Sequence, residues 1–457
     1  MGRLWPQSEP TFHARPRSYK DFVAAAEDGE IVAKLAERQI RREAAASFRG
    51  TSKFVREFIE PNLPVVVSDG CSEWRALQEW ADLDKLIQRC GDLKAPVVSC
   101  FEQNGGYEGE SLRGTAPVRQ FFEHMRHKSR RNTSTNEIAE ITSLVQAIKH
   151  VKALFDNLDQ LEEGREFHFE VGDKRILYLK DFHLERETDY TCDDIGEPFF
   201  IPEDWMDHFW RTVGSEPGNL ALETFDPNKS QKDDFRFAYC GEKDSFTPFH
   251  RDVIGSFSWS AQIRGQKLWL FAPPDLQSRL DSDSDNDIDV TGITNVWKCP
   301  TVLRHCYALL QLPGDVVFVP SNWWHQVHNL SNITISVNRN WSTRHNVDLM
   351  FERVFCELQR EIYPCIAPCF DSDNDESGQH RDRQDMWKHL EVVLRSCAGI
   401  SLQHFRRYVL FVLRNYELEP AHNQVMQRVL STIESCSVFH ATTPSSASHG
   451  QVEHELA

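Results

Sequence analysis

No apolar run in this chain of 457 residues reaches the length of a membrane-spanning helix. Residues Met1 to Pro10 include Trp5, Pro6 and Glu9, where a secretory signal needs an unbroken apolar core, so the expected location is cytoplasmic or also nuclear. Positive charge is short: 51 Lys and Arg face 69 Asp and Glu, giving a net charge of −18. That is the wrong sign for affinity built on nucleic acid phosphates, and it favours a neutral or basic protein partner. The 12 cysteines are too few and too irregularly spaced for a disulfide framework, and read as reduced, mostly buried thiols. Cys365 and Cys369 stand four apart with no second pair of ligand spacing, which argues against zinc.

Hydrophobic residues make up 40% of the chain and aromatics 11%, enough for a sizeable core. The region 1–50 reads as helical and variable, 51–345 as the main folded region, 346–440 as helices and 441–457 as a disordered tail. Between about 126 and 172 the pattern suggests an insertion. Its basic stretch His127 to Ser134 reads as a solvated loop, and Ile141 to Leu154 as an amphipathic helix. The acidic run Asp281 to Asp287 resembles a calcium loop only in part, since the required glycine and closing glutamate are missing. It reads as a solvated loop.

Short segments rich in β-branched and aromatic residues crowd the middle of the chain, at 235–239, 256–263, 267–271, 315–319, 324–327 and 334–338. Turn chemistry such as Arg264-Gly265 and Pro313-Gly314-Asp315 separates them, which predicts a sandwich or a closed jelly roll. Within them lies Thr247-Pro248-Phe249-His250-Arg251-Asp252, where alternation along a strand turns His250 and Asp252 to one side. A second histidine follows Trp323-Trp324, an improbable place for a polar side chain unless a site uses it. His325 and His328 face opposite sides of a strand, and His325 is the chosen ligand. Two imidazoles and one carboxylate, with no cysteine and with open positions, suit iron(II) that must also take a cosubstrate and dioxygen. Lys267, in Gln266-Lys267-Leu268-Trp269-Leu270-Phe271, is a cation among apolar strand residues. An anionic ligand would remove the cost of burying it.

Four stretches together resemble the JmjC-domain 2-oxoglutarate oxygenases, in particular their small hydroxylase branch. They are Tyr178-Leu179-Lys180-Asp181, Thr247 to Asp252, Gly265 to Trp269, and Pro320-Ser321-Asn322-Trp323-Trp324-His325 through Asn340-Trp341. The resemblance spans about Phe54 to Trp341, apart from the insertion. It implies a mainly β fold with α: a double-stranded β-helix, the JmjC cupin or jelly-roll barrel, flanked by N-terminal and C-terminal helices. It also implies iron(II) on His250, Asp252 and His325, which are the catalytic centre, and 2-oxoglutarate against Tyr178, Thr247 and Lys267, with Asn338 close by. The implied reaction consumes dioxygen and hydroxylates a protein, with C4 of a lysine in the eukaryotic translation release factor as the expected target. A JmjC demethylase or a hydroxylase of another protein would use the same centre, and a catalytically silent cupin that only binds is the third alternative. The C-terminal helices offer either a homodimer interface or a docking surface for the substrate.

Overall fold

A computed structural model describes residues 28–50, 52–80, 82–104, 111–134, 141–157, 162–164, 169–188, 192–213, 235–282, 288–370 and 379–435. The acidic run beyond Ser282, Asp371 to Glu376 and the tail from 441 lie outside these residues. Strands β1 (Arg42–Ala44), β2 (Val65–Ser68), β3 (Lys94–Asn104), β4 (Ser111–Pro117), β5 (Glu162–Gly164), β6 (Leu177–Phe182) and β7 (Arg236–Gly241) come first. Then follow β8 (Phe246–His250), β9 (Phe257–Arg264), β10 (Lys267–Ala272), β11 (Tyr307–Gln311), β12 (Val316–Val319), β13 (Trp324–Asn329) and β14 (Thr334–Trp341).

They form two sheets. The larger runs β1-β2-β12-β9-β14-β7-β6-β3-β4 with β5 against β3, and the smaller runs β11-β10-β13-β8. Facing sheets with alternating strand membership are the jelly-roll arrangement, as expected. Val66, Val317 and Val319 from the large sheet meet Trp269, Phe271 and Val327 from the small one, so part of the barrel interior is a packed apolar layer.

Both outer faces are covered. Phe48, Phe54 and Phe58 pack with Phe257, Phe318 and Trp341 on the large sheet. On the small sheet, Leu268, Leu270, Phe246 and Phe249 meet Ala147, Ile148, Val151 and Phe155 of helix Leu144–Asp156, together with Val32 and Leu35 of helix Asp28–Glu37. The helix read as part of an insertion is thus a buried wall of the barrel. His127 to Ser134 corrects the reading more directly: it belongs to helix Val118–Ser134 and is not a loop. Val118, Phe121, Phe122 and Met125 fall at helical spacing and are all buried, so packing of the first turns carries the helix on into the basic stretch.

After the barrel, helices Val347–Cys356, Gln379–Ala398, Leu402–Asn415 and Pro420–Ser435 build a core of their own. Ile254, from the short 3-10 turn Val253–Gly255, inserts into that core with Met350, Phe351 and Val354. Ile254 holds φ at 63°, a left-handed conformation that a β-branched residue adopts only when its surroundings impose it. The C-terminal helices therefore brace the turn that directly follows Asp252. Ile254→Ala is expected to lower unfolding stability by about 2–4 kcal/mol, read as a shift of the chemical denaturation midpoint. An unchanged midpoint would contradict this bracing.

Candidate metal and cosubstrate site

Strand β8 pairs antiparallel with β13, and the register sets His250 opposite His325. Their ring centroids lie 4.2 Å apart. β8 ends at His250, and Asp252 stands just beyond it in extended backbone, at the start of the 3-10 turn. The carboxylate reaches the same side as the imidazoles from that turn, not from a continued strand. One donor atom from each of His250, Asp252 and His325 lies within 4.8 Å of the others, the one such cluster of three among the described residues.

The tautomers suit ligation. His250 Nδ1–H donates to the Pro248 carbonyl at 2.8 Å and His325 Nδ1–H donates to the Trp323 carbonyl at 3.1 Å. A carbonyl can only accept, so each Nε2 carries its lone pair into the shared space. Burial, and then the neighbouring His325, hold His250 well below the ordinary histidine range, which keeps it neutral. The Ser258 hydroxyl donates to Asp252 Oδ2 at 2.6 Å and orients the carboxylate. Two imidazole nitrogens and one fixed carboxylate converging on a shared space are a donor set that fits iron(II).

Lys267 projects from β10 into the barrel and is 2% exposed. Its ammonium donates to Ser336 Oγ at 2.5 Å, and no carboxylate pairs with it among the described residues. Burial pulls its pKa from 10.5 to about 7. Across the register Lys267 faces Asn329, whose side chain and that of Thr247 hydrogen-bond the buried Tyr178 hydroxyl. Tyr178, Thr247 and Lys267 thus gather in one place, with a cation that lacks a counter-charge, as a site for a carboxylate requires. Asn338 lies on β14 and accepts from the Ser260 hydroxyl at 3.0 Å.

His328 is buried on the opposite face of β13, stacked on Phe246 at 5.7 Å, and its Nε2 accepts from Trp297 Nε1 at 3.0 Å. Burial lowers its pKa to about 3. It is a neutral core histidine, on the face of β13 away from His250 and Asp252. Sequence reading missed Ser258, Ser336, Asn329 and Tyr239. Ser258 and Ser260 alternate with Phe257 and Trp259, a polar rhythm within an apolar strand that flagged an inward polar face.

The Cupin-like domain family matches residues 51–346. The chain is 31% identical over 373 residues to the human protein named 2-oxoglutarate and iron-dependent oxygenase JMJD4, covering 78% of this chain and 72% of that one. Its zebrafish (Danio rerio) counterpart of the same name is 28% identical over 381 residues, covering 80% and 72%. An Arabidopsis thaliana protein named Arginine-specific demethylase JMJ20 is 30% identical over 310 residues, covering 65% and 56%.

The chain belongs to the JmjC 2-oxoglutarate and iron-dependent oxygenases.

As a JmjC oxygenase it uses iron(II), 2-oxoglutarate and dioxygen. Lys267 gives this oxygenase a pH signature in the absence of cosubstrate. The unfolded chain holds the lysine proton up to about pH 10.5 and the folded chain only to about 7, so between those values the unfolded state binds more protons. Ligand-free stability should therefore rise with pH across that window, by at most ~1.4 kcal/mol per pH unit. Lys267→Met should melt at a higher temperature at pH 7 and lose the slope; identical melting profiles for both proteins would contradict the buried, unpaired ammonium.

Proposed function

We propose that this oxygenase is a protein hydroxylase that places one oxygen atom on a side-chain carbon of lysine, with C4 of a lysine in the eukaryotic translation release factor as its target. The observation that carries the catalytic part is the convergence of two imidazoles and one carboxylate in a barrel that also buries a lysine with no carboxylate partner among the described residues. The lysine target rests on the sequence resemblance to the small hydroxylase branch. In this reading His250, Asp252 and His325 hold iron(II) and are catalytic, and Tyr178, Thr247 and Lys267 hold the far carboxylate of 2-oxoglutarate, with Asn338 beside it.

Iron(II) with 2-oxoglutarate and dioxygen supplies the oxidising chemistry, releasing succinate and carbon dioxide and delivering one oxygen atom to a C–H bond. The chain supplies orientation and exclusion of water. Pro248 and Trp323 carbonyls fix the imidazole tautomers, and Ser258 fixes Asp252. Lys267 and Tyr178 select a dicarboxylate of one length, because the distance from the metal donors to the ammonium is set by strand register. Trp269 and Phe271, stacked with ring centroids 5.5 Å apart, form apolar walls that keep bulk water out.

A second reading has one specific support: a relative of 30% identity is named an arginine-specific demethylase. A silent binding module is disfavoured, since such a module has no use for a buried cation without a partner. Purified protein supplied with iron(II), 2-oxoglutarate and a release-factor fragment should add about sixteen mass units to one lysine, the mass of one inserted oxygen atom. Loss of methyl groups from methylated arginine peptides, with no mass gain on lysine, would favour the second reading. Ser258→Ala should weaken iron(II) binding by roughly 10- to 100-fold without loss of fold; unchanged metal affinity would remove Ser258 from the account.

A further inference from the structure

Strand β6 pairs with β7 at Tyr178 opposite Gly241 and Leu179 opposite Cys240, and the next pair is Phe182 opposite Ala238. Three steps along β6 match two along β7, so β6 carries an extra residue. At this bulge Asp181 adopts φ of 57°, the left-handed conformation. A bulge re-aims a side chain that alternation would otherwise have placed elsewhere. The Tyr239 hydroxyl donates to Asp181 Oδ1 at 2.9 Å.

Tyr239 ties this carboxylate to the reaction space. Its ring lies 5.9 Å from the Lys267 ammonium and 6.0 Å from the Tyr178 ring, and its partner across β14 is Ser336, which accepts from Lys267. Burial raises the Tyr239 pKa, and the charges of both Asp181 and the candidate ligand Asp252 push it further, so the phenol lies within electrostatic reach of both carboxylates. Along β6, Asp181 lies beyond Tyr178 in the direction of Phe182, whose partner Ala238 adjoins Phe237 opposite Asn338.

A carboxylate kept only for folding would be paired with a cation or with backbone N–H groups. Asp181 instead receives a neutral phenol, and no cation lies within salt-bridge distance of it among the described residues. The adjacent Lys180 feels the Asp181 charge, but its ammonium lies 5.8 Å from the Tyr178 ring and forms no ion pair with that carboxylate, which leaves the carboxylate's acceptor capacity open. A half-buried carboxylate, held by a bulge and a phenol and carrying spare acceptor capacity, is suited to a cation that arrives from outside.

We infer that Asp181 is the specificity-determining residue that anchors the side-chain ammonium of the substrate lysine, an inference that rests on the hydroxylase reading above. It orients the substrate and takes no part in oxygen transfer. Asp181→Asn keeps the shape and removes the charge. With a lysine-containing release-factor fragment and its norleucine counterpart, the variant should raise KM for the lysine peptide roughly 10- to 100-fold, the scale of a hydrogen bond to a charged group. KM for the norleucine peptide should not move, and Asp181→Glu should restore part of the preference. Tyr239→Phe, which keeps the ring and removes the donor, should reduce the lysine preference to a lesser degree, and serves if Asp181→Asn fails to fold.

The same two peptides titrated by calorimetry into wild-type protein holding manganese(II) and 2-oxoglutarate test the anchor without turnover. A lysine preference that disappears in Asp181→Asn supports the anchor, even where no hydroxylation follows and the hydroxylase reading itself falls. Equal affinity of the wild type for the two peptides, or equal losses for both on substitution, overturns it.

Discussion

The pairing of β8 with β13 is the constraint on which the rest depends. His250 and His325 are far apart in the chain and become neighbours only because these strands close the small sheet in one register. A slip of one residue would turn His325 to the outer face and bring His328 inward. The outer face guards against that slip. His328 is locked between Phe246, Phe155 and Trp297, and Phe249 stacks on Trp324 at 5.2 Å. An apolar wall of helices thus holds a polar interior in register.

From that register the other positions follow. Phe271 falls opposite His325 and Lys267 opposite Asn329, so strand register sets how far the ammonium stands from the two imidazoles. Burying Lys267 is costly, and the fold tolerates it because β10 is flanked on both sides by strands that supply their own packing. Asp252 depends on another device, the strained turn at Ile254 pinned by the C-terminal helices. A site built from two sheets and a helical bundle is rigid where it must be, and it spends stability on that rigidity.

Much of this was legible in the chain. His250 and His325 could be read because histidines in strongly apolar strands need a reason, and Lys267 because a cation between Gln266 and Leu268-Trp269-Leu270-Phe271 needs a partner. Family resemblance supplied Tyr178, Thr247 and Asn338. What stayed hidden depends on contacts between distant strands: Ser336 matters only because β14 brings it to Lys267, and Tyr239 only because β6 bulges at Asp181. Helix Val118–Ser134 was obscured by its basic second half, although its first half carries a buried apolar face. β4 was obscured by Gly114 and Pro117, and β11 by an apolar run too short to separate strand from helix.

The central claim is that one metal held by His250, Asp252 and His325 and one 2-oxoglutarate held by Lys267 form a single centre. Anaerobic titration of the iron(II)-loaded protein with 2-oxoglutarate, followed by the visible absorption of a 2-oxo acid chelated to iron(II), tests it most directly. The expected band saturates at one 2-oxoglutarate per chain, is absent from His325→Ala, and needs far more cosubstrate in Lys267→Met. A band of equal strength and affinity in all three proteins would contradict it.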